Sequence, residues 1–201
     1  MKSSSLLFLT AALTLQLSAC VTTDREAGAS TKDPRTSYVP PAPNERARLT
    51  SNSVLNTVRT THAFSDPKSP DNFVLQLRGT RVLNARAHLI VTNSAGDTLR
   101  HEVLPAHALL NEKVLADPAA ATVRDKEIAI LRSMNNFFAA NNFVQPAVPA
   151  SAEQPAEVDT KTWQALREDP ATVAFDYTGA GGAERRLAYA RKLGKAVVIS
   201  Q

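Results

Sequence analysis

Apolar and polar residues alternate with a period of two in several stretches of this chain, and with a helical period in one. Phe73, Leu75 and Leu77 alternate with Val74, Gln76 and Arg78, which predicts a strand. Residues 82–92 continue the pattern, with Ala87, Leu89 and Val91 on one face. Turn chemistry follows at 93–97. Leu99, His101 and Val103 then alternate with Arg100 and Glu102 until Pro105. Short turns join the three strands, so they read as an antiparallel meander. Residues 53–63 fit a strand or a short helix equally, and 108–113 suggest one helical turn.

The period changes over 123–140. Val123, Ile130, Leu131, Met134, Phe137 and Phe138 fall on one helical stripe, expected to pack on the sheet. Thr122 followed by Asp125 is a capping box, with Asp in place of Glu. Residues 145–158 are rich in Pro, Ala and Glu and read as a surface loop. A short helix over 160–168 carries Trp163 and Leu166 and stops at Asp169-Pro170. Val173, Phe175 and Tyr177 alternate next, a glycine-rich turn spans 179–182, Leu187 and Tyr189 alternate on the return, and residues 196–200 form a last apolar strand. The expected class is α+β: two antiparallel three-stranded meanders packed with one main amphipathic helix.

The N-terminus is a different kind of sequence. Lys2 precedes an apolar run, Leu6 to Leu17, that is shorter than the roughly 20 residues of a spanning helix. Leu17-Ser18-Ala19-Cys20 closes it. These residues resemble the lipobox of bacterial lipoprotein precursors. The resemblance implies peptidase recognition through Leu17, Ser18 and Ala19, cleavage before Cys20, and a Cys20 thiol carrying diacylglycerol. It also implies attachment to a membrane by that lipid, and Val21 in place of Asp favours the outer membrane, facing the periplasm. Cys20 is the one cysteine in the chain, so no internal disulfide can form and lipidation uses the single thiol. Residues 20–48, with Pro40, Pro41 and Pro43, are expected to be a flexible tether. A single domain is expected over 49–201. Within it the order of elements around 73–79, 141–147 and 186–195 resembles that of bacterial envelope lipoproteins of uncharacterised activity, and implies no activity itself.

The charge, +4 with a pI near 9.4, is spread thinly except near the C-terminus. There Arg185, Arg186, Arg191, Lys192 and Lys195 accompany only Glu184. This run reads as the polar face of a hairpin, with an anion or partner patch as the alternative. Nucleic acid is not an expected partner of an envelope protein.

Catalytic motifs are missing from the sequence. There is no His-Glu-x-x-His, no second Cys and no Gly-x-Ser-x-Gly, so no metal, no cofactor and no catalytic residue is expected. His88 and His101 are expected on opposite sheet faces, and His101 and Glu102 point apart as strand neighbours. Asp176 and Glu184 flank a turn and could pair. Trp163, Tyr177 and Tyr189 are expected in the core rather than on a sugar-stacking face. The expectation is a non-enzymatic envelope module, binding or structural, that binds another envelope protein or stabilises an assembly. A hydrolase with a dispersed site around His101, Glu102 and Asp176, or a carrier of an apolar ligand, are the alternatives.

Overall fold

The computed structural model describes residues 48–111, 115 and 117–200. The leader, Cys20 and the tether up to residue 47 lie outside them. Residues from Arg48 onward belong to one compact unit.

Its first sheet has four antiparallel strands in chain order: β1 (Val54–His62), β2 (Asp71–Arg78), β3 (Arg86–Thr92) and β4 (Thr98–Pro105). The three-stranded expectation is therefore short by β1. That segment is rich in Thr and Val but only half buried, so its alternation is weak. β3 starts four residues later than expected, because a 3-10 turn at Val82–Asn84 precedes it. Gly79 makes this loop possible by close approach. A Cβ there would sit 2.9 Å from Ala85 Cα.

The second sheet is also four-stranded, ordered β5 (Phe143–Val144), β6 (Ala174–Thr178), β7 (Glu184–Ala190) and β8 (Lys195–Ser200). The added strand, β5, is two residues long and abuts the Pro-rich stretch, too short to show a period. Two helices complete the unit, the main one and the short one expected over 160–168. The first, α1 (Val123–Asn136), starts with the expected capping box: Thr122 Oγ1 accepts from Asp125 N, and Asp125 Oδ2 accepts from Thr122 N at 3.0 Å. It ends four residues earlier than expected. Past its end, Asn142 Nδ2 donates to the Phe137 carbonyl at 2.9 Å and folds the chain back towards β5. The second, α2 (Thr160–Arg167), is capped by Asp159, which accepts from Thr162 N at 2.9 Å.

The second sheet is covered on both sides. Phe175, Tyr177 and Leu187 join the larger core with Phe73, Leu75, Leu77, Leu89 and Leu104 of the first sheet and Ile130, Met134 and Phe137 from the α1 region. Ala174, Ala188, Ala190 and Ile199 face the other way, onto Trp163 and Leu166 of α2 and Ala147 and Val148 of the Pro-rich segment. That segment is thus part of the packing. Phe175 is the centre of the aromatic set, with ring centroids 4.9 Å from Phe143 and between 5.5 and 5.6 Å from Phe138, Phe73 and Phe137. The expected helix stripe needs one correction: Val123 is 64% exposed, and Ala129 is buried in its stead.

Candidate functional site

The basic run near the C-terminus is dispersed into ion pairs, each with an acid from another part of the chain. Arg185 reaches Glu102 at 2.6 Å, and Arg186 grips Asp176 with two bonds of 2.7 and 2.8 Å. Arg191 pairs with Asp169 at 3.0 Å, Lys192 with Glu168 at 2.6 Å and Lys195 with Asp159 at 3.3 Å. Asp176 and Glu184 do not pair with each other. Glu184 accepts from Thr178 Oγ1 instead.

Glu102 is the most enclosed of these acids. Register places it opposite Leu89 and Arg100 opposite Val91, so both project from β4 to the inner side of the first sheet. There Glu102 receives Arg100 Nη2 at 2.6 Å, Arg185 Nη1 at 2.6 Å and Tyr177 Oη at 2.7 Å. Burial pushes its carboxyl up. The bonds from Arg100 and Tyr177 and the charges of Arg100 and Arg185 outweigh that and hold it below the usual range. Tyr177 is pushed up to about 12, by burial first and then by its bond to the carboxylate.

His88 and His101 share the outer face of the first sheet, against expectation. Nδ1 of His88 lies 3.1 Å from Nε2 of His101, and the rings stack. The inference from Leu99 and Val103 failed because β4 turns its charged residues inward and leaves Val103 37% exposed. A bulge opposite Val91 and Thr92 brings Leu99 back to the core cluster. The three groups required for a dispersed hydrolytic site are separated: His101 lies outside the first sheet, Glu102 inside it, and Asp176 is held by Arg186. Among the described residues, no group of three or more His, Cys, Asp or Glu side chains is placed to hold a metal ion. Trp163, Tyr177 and Tyr189 all pack into or against the two cores.

A cleft of about 910 Å³ opens beside α1 and β6. It is lined by Asn111, Arg132, Asn135 and Asn136, together with Phe137 and residues 176–178 of β6. The sequence gives no sign of it, because the position is set by how short β5 is. β5 pairs only Phe143 and Val144 with Phe175 and Ala174. Among the described residues, no strand lies beside 176–178 on that side. Gly179 N donates to Ala183 O at 2.8 Å across the hairpin, so strand alternation turns the Thr178 N–H and C=O away from β7, towards the cleft.

Among the described residues no helix is long and apolar enough to cross a membrane. In comparisons with protein families, curated proteins and solved structures, no match to this chain was found.

Proposed function

We propose that this chain is a lipid-anchored protein of the bacterial envelope, attached through Cys20, whose folded unit is a non-catalytic binding module. The anchor reading is supported by Leu17-Ser18-Ala19-Cys20 after a short apolar leader, and Val21 favours the outer membrane. The module reading rests on one observation: the open edge of β6 lines a cleft. An extended segment of another envelope protein fits that edge. Backbone pairing with Thr178 would supply affinity, and Asn135, Asn136 and Arg132 would read side chains. Of the two acids lining the cleft, Asp176 is held by Arg186 and Glu184 accepts from Thr178, which favours recognition over catalysis.

Two experiments test the two halves. Cys20→Ala abolishes metabolic palmitate labelling and leaves the precursor uncleaved; continued labelling would defeat the anchor reading. For the cleft, a photo-crosslinker replacing Asn136 captures a discrete protein partner in cells, and Thr178→Pro, which removes the edge N–H, abolishes the product. Crosslinking that persists in the folded Thr178→Pro protein, or that matches a crosslinker placed on α2, overturns the cleft reading.

A further inference from the structure

The first sheet keeps its acids off its outer face. Its four strands contain two acids, Asp71 and Glu102, and both occupy inward register positions. Asp71 is fully buried and accepts from Phe64 N and from Ser65 N and Oγ. Glu102 is enclosed by Arg100, Arg185 and Tyr177. The outward positions carry Arg59, Arg78, Arg86, His88 and His101, with no acid among them.

These cations are also set against each other. Arg78 lies directly across from Arg86 in the β2–β3 register, an arrangement that repels unless something neutralises it. Arg78 binds only the neutral Gln76, through Nε at 3.1 Å and Nη2 at 2.6 Å. No carboxylate reaches Arg78, Arg86, His88 or His101 among the described residues. Burial, then Arg78, His101 and Arg86, hold His88 below its ordinary value, so its neighbours act on it as one positive field. The nearby loop acids are at the other end of the sheet: Asp97 in the β3–β4 turn and Asp66 in the β1–β2 loop. The cationic end is the one where the chain joins the sheet, since Gly79 N donates to Ser53 O at 2.9 Å there. Exposed Leu49 and Val54 sit in the same segment of chain, and Val103 lies across from His88 on the outer face.

We infer that this outer face docks on an anionic phospholipid surface, with Arg78 and Arg86 against phosphate groups and the exposed aliphatic side chains at the headgroup boundary. The choice of occupant rests on the anchored reading above: a chain attached through Cys20 works beside phospholipid headgroups. Charge complementarity supplies the attraction, and each arginine near an anionic surface strengthens binding severalfold.

The test uses residues 48–201, which contain both cores whole and carry no lipid, so its outcome is independent of Cys20 processing. Sedimentation with vesicles of 40% phosphatidylglycerol in phosphatidylethanolamine, compared with pure phosphatidylcholine, measures binding. The expected result is binding to the first only. Arg78→Gln with Arg86→Gln weakens it roughly 20-fold, and Arg78→Lys with Arg86→Lys restores most of it. Lys192→Gln with Lys195→Gln removes the same net charge from paired positions and leaves binding within about twofold. Equal losses in the two double glutamine variants would reduce the effect to net charge and overturn the proposal. Absence of vesicle binding overturns it as well. So does saturable binding of inorganic phosphate at His88 and His101, followed by NMR, without binding to vesicles.

Discussion

Tyr177 Oη donates a 2.7 Å hydrogen bond to Glu102 Oε2 and so joins the second sheet to the first. Arg185, the register partner of Tyr177 on β7, holds the other carboxylate oxygen. One acid on β4 is thus held by two adjacent strands of the opposing sheet. Glu102→Gln keeps the shape and removes the charge, leaving Arg100 and Arg185 without their counterion. The expected cost is about 2–3 kcal/mol in urea unfolding. The pH dependence has a definite sign. A carboxyl held below its unfolded value, about 4.3, stabilises the fold fully above that value, and this contribution is lost as pH falls through the lowered one. Wild type therefore loses its advantage over Glu102→Gln below about pH 4.

Asp159 makes a second acid-sensitive contact of a different type. Its carboxyl is held down to about 2, first by the Thr162 side chain and backbone and then by Lys195. The contribution is present above the ordinary Asp value and disappears as pH falls from about 4 towards 2. An NMR titration is expected to find the Asp159 midpoint below that of the other exposed aspartates. In Asp159→Asn, the Thr162 amide shift becomes insensitive to pH over that range.

Helix α1 separates buried from nominally apolar positions. Ile130 is fully buried and Val123 is 64% exposed. Ile130→Ala costs about 2–5 kcal/mol, the range for a cavity in a packed core. Val123→Ala stays within about 0.5 kcal/mol. Chemical denaturation of the two variants is the check, and similar losses would contradict the packing described.

Asp71 organises the β1–β2 connection. With no exposure, it accepts from two backbone amides and one hydroxyl. Asp71→Ala strands the amides of Phe64 and Ser65 and costs about 2–3 kcal/mol. Hydrogen exchange is expected to accelerate at those two amides more than at the amides of β7.

The legible parts of the fold were those with a strong local period: β2, most of β3, the body of α1, and α2 with its stop at Asp169-Pro170. β1 and β5 were not legible as strands, one because it is half buried and mixed, the other because two residues carry no period. β4 misled for a tertiary reason. Its apolar Leu99 and Val103 suggest an inward face, yet Arg100 and Glu102 occupy it because Arg185 and Tyr177 wait on the opposite sheet. The same effect misplaced His88 relative to His101. Spacing in sequence does not show where charge stands unbalanced in the fold. The conspicuous cluster from Arg185 to Lys195 is neutralised pair by pair. Arg78 and Arg86, eight positions apart and ordinary to the eye, become neighbours through register. The cleft was illegible because a strand that stops early leaves no mark in composition.

Above the first sheet Arg59, Arg78 and Arg86 meet no acid among the described residues, while beneath it Arg100 and Arg185 balance Glu102, so the excess positive charge lies on one side. Such a layer has a direction, as a compass needle does. A molecule built this way experiences a torque in the field of a charged boundary before any atom touches, so its approach is already turned the right way round. Dissolved salt, which shortens that field to about 8 Å at physiological strength, would leave the contacts available and erase the turning.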